Sequence, residues 1–169
     1  MKTLAPGSTI GMLGGGQLGR MMALAAAELG FKVHVFTNEI DGPTEQVCNA
    51  VTHADYDDKK ALLEFANKVD VVTYEFENIP VETVNVLTGV INVFPNAKVL
   101  EVSQDRLTEK KFINDLGIET APFKDVSTLE EAEEALKAIG YPAVLKTRRL
   151  GYDGKGQAIV KNEDDLTSA

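Results

Sequence analysis

Between Thr9 and Phe36 the chain reads TIGMLGGGQLGRMMALAAAELGFKVHVF: a short apolar run, a glycine-rich turn, an alanine-rich stretch and a second β-branched run, end to end. Residues 9–13 are predicted to be a strand. Residues 17–29 are predicted to be a helix, with Gly30 standing where a left-handed C-cap is wanted, and residues 32–36 a second strand. The same alternation continues downstream, and it is the mark of an α/β domain built on a parallel sheet.

Asp41-Gly42-Pro43 is a turn signal leading to a short strand near residues 50–53, and Asp57 or Asp58 then caps a helix running to about Lys68. Val69-Asp70-Val71-Val72-Thr73-Tyr74 is the clearest strand, with Glu75-Phe76-Glu77 at its carboxyl end, where open α/β sheets bind ligands. Pro80 is expected at the first position of a further helix, and residues 90–94 form a fifth strand closed by Pro95. After Asn96 the pattern becomes α+β. A helix over 105–116 ends at Gly117, Ser127-Thr128-Leu129-Glu130 reads as a capping box opening a helix to Ile139, and residues 143–146 and 157–161 are strands around a glycine loop. The expected organisation is a Rossmann-like parallel-sheet domain over 1–100, followed by a partial α+β region over 101–169.

A net charge of −9 argues against general nucleic-acid or anionic-membrane partners, because the overall field repels them. A small anion would need a local basic pocket, and Lys146, Arg148, Arg149 and Lys155 supply the residues for one. The lone cysteine, Cys48, has no internal partner and fits a reducing, cytoplasmic setting as a small core residue. Glycines 14–16 interrupt the first apolar run too early for a signal peptide or a membrane span. His34 and His53 have no cysteine or histidine at metal-ligand spacing, so no metal site is expected.

Gly14-Gly15-Gly16-Gln17-Leu18-Gly19 matches G-x-G-x-x-G between strand and helix, where backbone N–H groups favour an anion. A dinucleotide site would need an acidic residue at the end of the second strand. Phe36 is followed instead by Thr37 and Asn38, with Glu39 late. An NAD-binding oxidoreductase domain, a different phosphate ligand and a purely packing role for the glycines all stay open on these residues. The second loop, Gly151 to Gly156, joins two strands and lacks the G-K-[ST] of a Walker sequence. It suits a lid whose N–H groups reach phosphate oxygens, with Lys146 as a point charge beside it.

Four fragments in this order resemble the ATP-grasp superfamily: GGGQLGRM over 14–21, YEFEN over 74–78, QDR over 104–106 with KKF over 110–112, and PAVLK over 142–146 followed by GYDGKGQ over 151–157. Within it they are similar to the ligases that carboxylate 5-aminoimidazole ribonucleotide with bicarbonate in purine biosynthesis. The resemblance implies a pre-ATP-grasp domain followed by the start of an ATP-grasp domain. Arg106 and Lys146 would contact ATP, and Gly151, Tyr152, Asp153, Gly154, Lys155, Gly156 and Gln157 would form its phosphate lid. Gly16, Gln17, Leu18 and Glu75 would face the ribonucleotide, with Tyr152, Asp153 and Lys155 approaching it from the lid. Asp153, toward the reacting amine, and Lys155, toward bicarbonate-derived or phosphate oxygens, are the catalytic candidates.

The resemblance also implies magnesium, with ligands past Ala169, and a homodimer. Other ATP-grasp carboligases and amine ligases share the lid and its lysine, and a noncatalytic binding module remains a further alternative. The 169-residue chain is expected to be an N-terminal fragment without turnover of its own. An assay with ATP, bicarbonate and 5-aminoimidazole ribonucleotide should give no product above background, and turnover at an intact enzyme's rate would overturn that expectation.

Overall fold

The computed structural model describes residues 3–74, 76–151 and 154–167. The chain divides into two compact units, Met1–Glu101 and Val102–Ala169.

In the first unit the strands β1 (Thr9–Leu13), β2 (Lys32–Thr37), β3 (Ala50–His53), β4 (Val71–Tyr74) and β5 (Val93–Phe94) make one sheet in the order β3-β2-β1-β4-β5. Every pairing in it is parallel, as the alternation of strand and helix patterns predicts. The helices are α1 (Gln17–Glu28), α2 (Lys59–Ala66), α3 (Val81–Thr88) and α4 (Ala97–Ser103), whose last two residues fall in the second unit, with a 3-10 turn at Pro43–Gln46.

Strand side chains alternate between faces, so one strand serves two cores. Met12, Val33 and Val35 pack with Ala23 and Ala26 of α1. Their sequence neighbours Leu13 and Phe36, with Val72, pack with Leu62 and Phe65 of α2 and Val84 and Leu87 of α3. A parallel sheet covered in this way is apolar on both sides, which is why its strands read as nearly continuous hydrophobic runs. Phe65 is the keystone of the second core, its ring 5.4 Å from Phe36 and 5.0 Å from His34, both edge-on. Burial of a side chain that size contributes roughly 2–3 kcal/mol.

The second unit holds α5 (Arg106–Asp115), α6 (Leu129–Ile139), β6 (Ala143–Lys146), β7 (Gln157–Val160) and α7 (Glu163–Leu166). Strands β6 and β7 pair antiparallel, and Ala132 and Leu136 of α6 pack on Val160 and Leu166. Among the described residues no helix is long and apolar enough to cross a membrane.

Several local expectations shift. Pro80 is the N-cap of α3 rather than its first helical residue, its ψ of 134° being extended. The cap of α6 is Thr128, whose hydroxyl accepts from the Glu131 N–H, while the Glu131 carboxylate accepts from the Ser127 N–H at 2.6 Å. The box is therefore one residue later than Ser127 to Glu130. Helix α4 has no counterpart in the sequence reading. Its β-branched Val99 and Val102 weaken the helical signal, and what holds its start is the Asn96 side chain, which accepts from the Val99 N–H at 3.1 Å.

His34 lies on β2, buried, with its Nε2 2.8 Å from the Thr52 hydroxyl. Burial, with the Lys68 charge adding to it, holds its imidazole below the ordinary 6.5. The folded chain therefore keeps His34 neutral where the unfolded chain takes a proton, so stability falls as pH drops from about 6.5 toward the lower folded value. The His34 ring resonances should titrate below 6.5 in NMR, and a midpoint at or above that value would contradict the burial argument.

Candidate functional site

In the first unit β1 is bonded to β2 on one side and to β4 on the other, which makes the gap beyond the carboxyl ends of β1 and β4 the switch point of the sheet. Leu13 is in register with Tyr74, so the loops that follow these two residues emerge side by side. A Cβ on Gly14 would stand 3.7 Å from the Cβ of Phe76. The fold thus brings the glycine loop and the Tyr74-to-Asn78 segment to one place, as a shared ligand requires. Glu75 itself lies outside the described residues.

Gly16 is the N-cap of α1, and among the described residues no side chain caps that helix and nothing beyond Gly16's own chain neighbours comes within 4 Å of where a Cβ would stand. Gln17 and Leu18 are exposed on the first turn. Together these leave a helix start at which an anion can meet backbone N–H groups. Where a dinucleotide-binding domain needs a carboxylate, at the end of β2, stands the buried Thr37, whose hydroxyl accepts from the Glu39 N–H at 3.1 Å. Tyr74 closes the floor of the switch point by donating its hydroxyl to the Asn96 carbonyl at 3.2 Å, and burial pushes its phenol above the ordinary value.

In the second unit the β6–β7 hairpin carries the other glycine loop. Lys146, at the end of β6, faces Gln157 at the start of β7, and Thr147 donates its N–H to the Gly156 carbonyl at 2.8 Å to close the stem. Gly156 has φ +65°, and a Cβ there would lie 2.5 Å from the Thr147 hydroxyl, so only glycine fits both the turn and its neighbour. Gly154 and Lys155 are exposed on the turn, and Gly151 is half-buried. Tyr152 and Asp153 lie outside the described residues.

The start of α5 clasps the first arm of this hairpin. The Asp105 carboxylate receives the Arg148 Nε at 2.9 Å and Nη2 at 3.0 Å, the bidentate geometry that guanidinium and carboxylate favour. Arg106 donates twice, its N–H to the Arg148 carbonyl at 2.9 Å and its Nη2 to the Gly151 carbonyl at 2.7 Å. Arg149 donates to the Gln104 side chain at 2.9 Å. The same Asp105 carboxylate caps α5 through the Thr108 N–H at 2.9 Å. Burial pushes Asp105 up, but the Thr108 N–H and the Arg148 guanidinium outweigh it and hold the group below the ordinary carboxylate value.

Of the cations that the sequence groups as a basic pocket, Arg148 and Arg149 are thus held by protein partners. Lys146 is exposed and has no ion pair among the described residues. It lines a cavity of about 150 Å³ with Arg106 and Lys110 of α5, Phe123 and Val144. With Lys124 and Arg148 also on its wall, and Asp125 the one carboxylate there, this partly apolar recess is rich enough in positive charge to take a polyphosphate together with a flat, apolar group. Among the described residues no group of three or more His, Cys, Asp or Glu side chains could hold a metal ion.

Sequence reasoning missed Asp105, Thr147 and Lys110. Asp105 had a signal, since Asp-x-x-Thr before a helical run is a capping pattern. Thr147 had none, because its role comes from the glycine it meets across the hairpin.

Residues 7–104 match the model of the ribonucleotide synthetase preATP-grasp domain, and residues 111–169 that of the ATP-grasp domain. The chain is 50% identical over 163 residues to an N5-carboxyaminoimidazole ribonucleotide synthase from Brucella melitensis, covering 96% of this chain and 45% of that protein. It is 52% identical over 166 residues to the bifunctional purine synthesis protein purC/E of Dictyostelium discoideum, covering 98% of this chain and 17% of that one. The Staphylococcus aureus N5-carboxyaminoimidazole synthetase complexed with ADP superposes with a TM-score of 0.93 at 42% identity, over 99% of this chain and 45% of that one. The chain therefore spans less than half the length of these relatives.

The Asp105 clasp should be visible in stability. Asp105→Ala removes a helix cap and leaves Arg148, itself half exposed, without its bidentate partner, for a loss of about 1–2 kcal/mol in urea denaturation. Asp105→Asn, which keeps an acceptor for Thr108, should lose less. An alanine variant as stable as the parent would rule the clasp out.

Proposed function

Since the chain belongs to the ribonucleotide synthetase preATP-grasp family, we propose that it is part of an ATP-dependent ligase that carboxylates 5-aminoimidazole ribonucleotide with bicarbonate, forming 5-(carboxyamino)imidazole ribonucleotide, ADP and phosphate in purine biosynthesis. In this reading residues 1–100 are the pre-ATP-grasp domain and residues 101–169 the start of the ATP-grasp domain. The observation that carries it is Lys146, without an ion pair among the described residues, beside Arg106 and Lys110 on one cavity, in a chain half-identical to a synthase of that name.

A bicarbonate oxygen attacks the γ-phosphorus of ATP, the bond to the β-phosphate oxygen breaks, and carboxyphosphate and ADP result. The exocyclic amine of the ribonucleotide then forms a bond to the carboxyl carbon, phosphate departs, and the amine loses a proton. The protein's share is charge neutralisation, positioning and exclusion of water, because carboxyphosphate is lost to hydrolysis in the open. Lys146 and Arg106 hold phosphate oxygens of ATP, with the N–H groups of the 151–157 loop over them. Lys155 takes the charge of bicarbonate-derived or phosphate oxygens, and Asp153 orients the amine. Gly16, Gln17, Leu18 and Glu75 hold the ribonucleotide, and Tyr152 adds a contact from the lid.

Magnesium would neutralise further phosphate charge in such a reaction. The described residues offer no cluster to hold it, and no step above runs through it. A homodimer and a cytoplasmic location belong to the same reading, the free Cys48 bearing only on the second, since it suits a reducing compartment.

Titration of the chain with 5-aminoimidazole ribonucleotide, followed by calorimetry, should give saturable binding, whereas NADH should give none. Lys146→Ala should weaken ATP binding by about tenfold without altering the ribonucleotide response, since loss of one charged hydrogen bond is worth about 1.5–3 kcal/mol. Saturable NADH binding with silence toward the ribonucleotide would return the oxidoreductase reading.

A further inference from the structure

The carbonyls of Gly15 and Gly16 both accept from one residue of the 3-10 turn, and the Gly16 carbonyl also accepts the Arg20 N–H of α1 at 3.1 Å. Thr44, fully buried, donates its N–H to the Gly15 carbonyl at 3.0 Å and its hydroxyl to the Gly16 carbonyl at 2.8 Å. In a planar trans peptide the C=O and the following N–H point in opposite directions. The N–H groups of Gly16 and Gln17 are therefore directed away from Thr44.

We infer that Thr44 is a positioning residue, which aims the Gly16 and Gln17 N–H groups at the phosphate of the bound ribonucleotide without touching it. The inference rests on the ribonucleotide reading above. Two adjacent N–H groups turned to one side form the kind of concavity that holds an anion's oxygens. Left to itself, a run of three glycines would sample many peptide orientations, and selecting one costs entropy that a fixed partner removes in advance.

The surroundings leave Thr44 little room to do anything else. A Cβ on Gly19 would come within 2.6 Å of the Thr44 hydroxyl, and one on Gly42 within 2.8 Å of the Gly15 carbonyl. The turn and the glycine loop are thus pressed together at positions where only glycine fits. Behind Thr44 its own carbonyl accepts the N–H groups of Val47 and Cys48, each at 3.1 Å. Glu45 anchors the turn further, accepting the Gly42 N–H at 3.2 Å and standing 3.4 Å from His53 of β3. The donor pair at the loop is consequently tied, through Thr44 and Glu45, to β3.

The test uses the ¹⁵N-labelled chain, with residual dipolar couplings to read the Gly16 and Gln17 N–H directions and a titration with 5-aminoimidazole ribonucleotide. Thr44→Ser keeps the hydroxyl, and Thr44→Val keeps the shape but leaves the Gly16 carbonyl without that donor. Thr44→Ala serves where valine crowds Gly19. The parent and serine chains should share N–H directions and affinity. The valine or alanine chain, which keeps the Thr44 N–H on the Gly15 carbonyl, should show a turned N–H direction at Gln17 and about tenfold weaker binding, with its other amide resonances in place. An unchanged Gln17 direction, or a turned one with unchanged affinity, would overturn the inference. A parent that binds the ribonucleotide with no response at Gly16 and Gln17 overturns the inference alone. A parent that does not bind at all overturns the ribonucleotide reading and the inference with it.

Discussion

The first unit depends on a strand that has no solvent-facing side. β1 is hydrogen-bonded along both edges, to β2 and β4, and its two faces carry Met12 into one core and Leu13 into the other. Buried backbone N–H and C=O groups must all find partners, and in the middle of a parallel sheet the ladders provide them. Where β1 ends the ladders end too, and the next peptides need a different solution. Gly14 donates its N–H to the Phe36 carbonyl, and Thr44 takes the carbonyls of the next two residues. The loop's free donors are what remains after the sheet and the turn have taken their share.

The second unit solves a related problem with charge. A ten-residue connection between two short strands, rich in glycine, has little intrinsic order, and its stem is closed by one backbone bond between Thr147 and Gly156. Its first arm is fixed by Gln104, Asp105 and Arg106, three consecutive residues at the start of α5. Asp105 does this while capping its own helix, so order in the helix start and in the hairpin arm depend on the same carboxylate. Arginines that look like ligands in a linear reading are partly scaffolding, and Lys146 is left to the cavity.

The alternation of periods made the parallel sheet legible, and the two glycine loops were legible in each unit by itself, because strand patterns, caps and turn glycines act over a few residues. The resemblance of four spaced fragments to the ATP-grasp superfamily agrees with the family found for residues 7–104 and 111–169. What could not be read are contacts between residues far apart in the chain. Thr44 lies 28 residues from Gly16, and Arg148 lies 43 from Asp105. Helix α4 escaped for a different reason, since its propensity is weak and its start is held by the Asn96 side chain.

The sequence by itself determined that this chain has a parallel α/β domain, a second α+β region and two glycine loops, because those properties follow from periodicity, caps and residue chemistry. Tertiary structure alone decided that Arg106, Arg148 and Arg149 bind groups of the protein while Lys146 lines a cavity without an ion pair among the described residues, and which way the glycine peptides turn. Glycine sets no direction for its own N–H, and an arginine carries the same charge wherever it is held. Direction and partner come from what packs beside them.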